Sequence, residues 1–141
     1  MPLGRKGGQM RVASALLLSI GLAVVSRQAG AHHSFAAEFD AAKPFKLTGA
    51  VTKVEWANPH AWLYVDVVDP ATNKTTNWAV ELNSPNALLR AGWTRNTLSI
   101  GDVVTVEGSL AKDGSPTGNA RSVTTSTGQK LFAGSSQDAT P

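Results

Sequence analysis

Between Phe45 and Ser126 the apolar residues fall in an order that admits few folds: three β-type segments, one capped helical segment, then two more β-type segments. In Phe45 to Trp56, Leu47, Gly49 and Val51 alternate onto one face, and the apolar set then moves to Val54 and Trp56. A one-residue change of phase beside a glycine predicts a β-bulge, which bends a strand sharply. After the Asn58-Pro59 turn signal, His60 to Val68 alternates cleanly. Ala61, Leu63, Val65 and Val67 lie on one face, and Trp62, Tyr64 and Asp66 on the other. Thr75 to Leu82 is the third segment, with Trp78, Val80 and Leu82 on one side.

The period then changes. Ser84 is a good helix N-cap, and Pro85 suits the first helical position, where its missing N–H is of no consequence. Ala87 to Arg90 favour helix and Gly92 supplies a stop, so a helix of about two turns is predicted. Val103 to Leu110 and Ala120 to Ser126, joined by the turn-rich Lys112 to Gly118, complete the set. Three strands, a short helix and two strands are the order of a five-stranded Greek-key barrel of the oligonucleotide/oligosaccharide-binding (OB) type. The fold class expected is therefore mainly β, a small OB-like barrel with one short helix between strands 3 and 4. The runner-up is a small open sheet or sandwich with one capping helix.

The N-terminus sets the boundaries. Arg5, Lys6 and Arg11 precede the apolar run Val12 to Val25, and a small-residue motif ends at Ala31. This is the three-part pattern of a secretory signal peptide. The run has 14 residues, short of the roughly 20 that cross a bilayer as a helix. The expected organisation is a signal peptide over 1–31, an extended or loosely held arm over 32–44, the barrel over 45–126 and a polar tail over 127–141. Localisation is then periplasmic or secreted, with no membrane span once the signal is cleaved.

Of the 13 Lys and Arg residues, Arg5, Lys6, Arg11 and Arg27 lie in the signal, whereas all ten acids follow it. The remainder has nine basic against ten acidic residues, a net charge of −1. The basic balance of the whole chain thus belongs to the targeting segment. Nucleic acid is not an expected partner, because its recognition needs a basic patch in the mature domain. With no Cys, and Met only at positions 1 and 10, thiol catalysis and sulfur ligation are excluded.

The strings AHHSFAAEFD, GAVTKVEWANPHAWLYVDV, NWAVELNSPNALLRAGWT, GDVVTVEG and the NARSVT…KLFAGSS ending resemble a bacterial family of small exported proteins, domain of unknown function 6152. HHSF and NPHAW are the most specific parts. The resemblance implies export and a single compact domain; it implies no activity.

Candidate chemistry centres on His32, His33 and His60. Cleavage after Ala31 makes His32 N-terminal, so its α-amine, with a pKa of about 7.7–8.0, and its imidazole can chelate one ion. A nitrogen-rich set of this kind suits tetragonal Cu(II), with Glu38 or Asp40 as an added oxygen ligand. The competing reading leaves His32 and His33 solvated and His60 as a turn residue. A second candidate is an interaction surface for a small ligand or a periplasmic protein, made by Trp56, Trp62 and Tyr64. The competing reading has the helix, the arm or Phe132 covering those rings. Trp78 and Trp93 read as core. Glu55, Asp66 and Glu81 fall where they can share a sheet face, but surface carboxylates on strands are common. No nucleophile elbow or phosphate loop is present, so no catalytic residues are expected.

Overall fold

The computed structural model describes residues 34–134. The predicted signal peptide, His32, His33 and residues 135–141 lie outside the described residues. The elements are α1 (Ser34–Glu38), β1 (Phe39–Glu55), β2 (Trp62–Val68), β3 (Thr75–Glu81), α2 (Pro85–Arg90), β4 (Val103–Ala111), β5 (Thr117–Thr125) and β6 (Lys130–Phe132). Among the described residues the fold is mainly β, with six strands in one sheet of order β3-β2-β1-β4-β5-β6 and two short helices. Neighbours in that order run antiparallel. β3 also pairs with β5, in parallel, from Ala79–Thr117 to Glu81–Asn119. The pairings therefore return to their start through β1, β2, β3, β5 and β4, with β6 attached outside this ring.

Side-chain alternation decides which face is inside. Leu63 and Val65 of β2, Val80 of β3, Val104 and Val106 of β4 and Ala120 and Val123 of β5 are buried together. Burying one such aliphatic side chain is worth about 1.5–3 kcal/mol. The phase change read in β1 has a counterpart in the register. Val51 faces Val65 but Lys53 faces Tyr64, which leaves Thr52 as the extra residue of a bulge. Val51 packs inward before it, and Val54 and Trp56 pack on the core after it. The Asn58-Pro59 peptide is cis. Ser84 caps α2 by accepting from Ala87 N, with Pro85 opening the helix.

Three expectations are corrected. Six strands replace five, because Lys130–Phe132 pairs with Ser122–Thr124 and places buried Leu131 against the core. A polar tail over 127–141 is thus wrong for its first residues. The arm expected over 32–44 is extended from Phe39 and is not loosely held there: α1 leads straight into β1, which pairs with β4 from Phe39–Ala111. The reason is local bonding. Glu38 O accepts from Lys112 N at 2.8 Å, and Phe39 is buried with its ring 5.6 Å from that of Phe35. Trp78 is half-buried at the edge of the core beside Phe45, whereas Trp93 is fully inside. No helix among the described residues is long and apolar enough to cross a membrane.

Candidate functional site

Residues opposite one another in register project to the same side of a sheet. Trp62 of β2 faces Glu81 of β3, and Glu81 faces Asn119 of β5, so the three form a row across the strands on the side away from Leu63 and Val80. Asn119 also faces Ser109 of β4. A row on the outside of a sheet is ordinarily wet. Here Glu81 is only 8% exposed and Asn119 3%, and Ser109 is buried as well.

His60, at the end of the Asn58-Pro59 turn, caps this row. Its Nδ1 lies 3.2 Å from Glu81 Oε1, within hydrogen-bond reach, and its side chain is 32% exposed. Asn119 Nδ2 donates to the same oxygen at 3.4 Å. Asn119 Oδ1 is buried without a partner, an exception to the rule that buried polar atoms are paired. Burial pushes the Glu81 carboxyl above its ordinary 4.5, and the nearby Glu38 carboxylate adds to the rise. His60 and the Asn119 bond pull the other way. An acid raised in the fold stabilises it fully below its unfolded value, and that contribution is lost as pH rises through the folded value. Stability is therefore expected to decline above pH 4.5. In Glu81→Gln the decline should flatten, measured as the urea midpoint between about pH 4 and pH 7.

Beside the row is an open cleft of about 470 Å³, between the end of α1, the start of β2 and the β4–β5 turn. Glu38, Trp62, Lys112, Asp113, Ser115 and Thr117 contribute to its wall. Lys112 Nζ is bound to the Ala36 carbonyl. Asp113 accepts from Ser115 N at 2.9 Å, and bonds from Ser115 hold its carboxyl below the ordinary value.

The predicted residues are only partly brought together. Of the three histidines, His60 alone is among the described residues. Those residues contain no group of three His, Asp or Glu side chains set to hold a metal ion. Asp40 turns to Lys43 at 3.9 Å and to Ala42 N at 3.0 Å. The aromatic trio is divided. Trp56 packs on the core with Arg95 over its ring at 5.6 Å, and its Nε1 is buried without a partner. Trp62 and Tyr64 are half-buried on the outer side, Tyr64 under the Lys53 ammonium at 5.2 Å. The three carboxylates also separate. Glu55 pairs with Lys53 at 2.7 Å, Asp66 accepts from Asn77 at 2.8 Å, and Glu81 alone sits in the buried row. Asn119 escaped the sequence reading. The strand expected over Ala120 to Ser126 begins three residues earlier, at Thr117, and nothing local signals that β3 lies alongside.

A family of unknown function, DUF6152, matches residues 19–121, and the chain belongs to it. No curated protein and no solved structure matches the chain.

Proposed function

We propose that this protein is an exported, non-enzymatic binding module of the periplasm or the surrounding medium. It takes Cu(II), or a similar divalent ion, through His60 together with His32 and His33. The observation that carries this reading is the His60 Nδ1 to Glu81 Oε1 contact of 3.2 Å. A carboxylate that accepts from Nδ1 fixes the imidazole tautomer and leaves Nε2 as the electron-pair donor, the arrangement that orients metal-bound histidines. His60 and Glu81 alone are too few for a site, and the HHSF string supplies two more imidazoles at a processed N-terminus. Nitrogen ligands without sulfur favour Cu(II) over Cu(I).

Export rests on the basic, apolar and small-residue parts of 1–31. In the same reading, the ring of β1, β2, β3, β5 and β4 is an OB-type Greek-key barrel, to which β6 is an addition. Its support is the parallel β3–β5 pairing together with α2 between β3 and β4.

Copper titration of protein that begins at His32 tests the function. The expected result is affinity tighter than micromolar, a nitrogen-rich tetragonal electron paramagnetic resonance signal, and a loss of about 10–100-fold in His60→Ala. Micromolar or weaker binding that is indifferent to His60→Ala removes the joint site.

A further inference from the structure

The cleft beside Trp62 has a chemistry of its own. Two carboxylates stand on its wall, Glu38 and Asp113. The single basic side chain of the wall, Lys112, keeps its charge but is turned to the Ala36 carbonyl, to which its ammonium donates. Ser115 and Thr117 carry hydroxyls that accept as readily as they donate. Thr117 and Asn119 are two apart on β5 and so share a face, which places Asn119, with its unpaired buried acceptor, next to the wall rather than in it. Trp62 adds an aromatic ring, the best of the side-chain surfaces for a cation. The wall thus offers more acceptors than free donors, with two carboxylates against one ammonium. At about 470 Å³ it lies within the size range of small-molecule sites.

From this we infer that the cleft bounded by Glu38, Trp62, Asp113 and Thr117 is a binding site for a small organic cation with an ammonium or guanidinium head. The head group donates to Glu38 and Asp113, and its short apolar stem lies along Trp62. Anions and neutral acceptors meet an unfavourable potential at the same wall. Of the aromatic surface expected from the sequence, only the Trp62 end is involved; Trp56 faces the core and Tyr64 is covered by Lys53. The site shares none of the three histidine ligands proposed for copper; Glu38, read from the sequence as an added oxygen ligand, is common to both, and EDTA in the titration keeps the two readings apart.

Titration of the mature protein with methylguanidinium chloride, in the presence of EDTA, tests it by nuclear magnetic resonance. Saturable shifts are expected at the Trp62 indole N–H, the Thr117 amide and the Asn119 side-chain amide. Propylammonium should act at the same signals, and sodium acetate and glucose should not. Glu38→Gln removes one charge from an exposed position and is expected to weaken binding threefold or more. Asp69→Asn, in the distant β2–β3 turn, should leave it unchanged. The inference is overturned by the absence of saturation at those three signals up to about 50 mM, well above the millimolar affinity open to so small a head group. An equal response to acetate, or an affinity untouched by Glu38→Gln, overturns it as well.

Discussion

Trp93→Ala is expected to destabilise the protein by about 3–5 kcal/mol, the range for removing a fully buried aromatic side chain. In a domain of this size that lowers the melting temperature on the order of 15–30 °C. The ring is 2% exposed and belongs to the main core cluster. Its backbone N–H donates to Leu88 O at 3.0 Å just beyond α2, and its indole N–H donates to Phe132 O at 2.8 Å in β6. One side chain therefore fastens the only helix between β3 and β4 to the strand outside the ring. Trp93→Phe separates the two roles. It keeps most of the packing but leaves a carbonyl without its donor, which should cost about 1–3 kcal/mol. Thermal or urea denaturation reads both variants, and an alanine variant within 1 kcal/mol of the parent, roughly the error of such comparisons, would contradict the core assignment.

The second large effect is Gly108→Ala, expected to cost about 3 kcal/mol or to prevent folding, because overpacking against a backbone cannot be relieved by a rotamer change. A methyl at this position runs into the Asn119 carbonyl, with the Asn119 carbonyl carbon at 2.8 Å and Ala120 Cα at 2.9 Å. The glycine sits where β4 and β5 shift register, between Glu107–Ser122 and Gly108–Ala120. Close approach of the two backbones is what sets Asn119 in line with Glu81. A folded Gly108→Ala protein is therefore expected to show altered signals for the Asn119 amide as well as a lower urea midpoint. Gly114→Ala is the contrasting case. It has a φ of +77° and open space around it, so only the left-handed backbone penalty of about 1–2 kcal/mol applies.

Much of the architecture can be read from residue order, and the parts that cannot have physical reasons. The β1 bulge follows from the displacement of the apolar set between Val51 and Val54. The α2 start follows from Ser84 and Pro85. β6 is hidden because a three-residue strand offers no period, and Leu131 with Phe132 stands alone among polar neighbours. The start of β1 is hidden because Asp40, Ala41, Ala42 and Lys43 favour strand weakly; Phe39 and Asp40 are held by Ala111 and Leu110 of β4, and the register breaks between Asp40 and Pro44. At the site, His60 is identifiable by its chemistry and Glu81 only as one of three strand carboxylates; the burial of Glu81 is not legible. The alternation Trp78, Val80 and Leu82 directs Glu81 outward, which for an isolated sheet means solvent. It is buried because β5 lies beside β3, and the segment that provides Asn119 is 38 residues further along the chain.

That same long-range pairing bears on how the molecule comes into being. A polypeptide released amino end first exposes β1, β2 and β3 while the partner of β3 is still to come. Only after Thr117–Asn119 has emerged can β3 gain its second neighbour and Glu81 lose its water. Contacts so distant in sequence form late and slowly, since the entropy of closing the intervening loop precedes any gain from them. A nascent fragment ending before β5 is consequently an open half-sheet with a bare edge, and such a fragment is a natural client for chaperones or proteases.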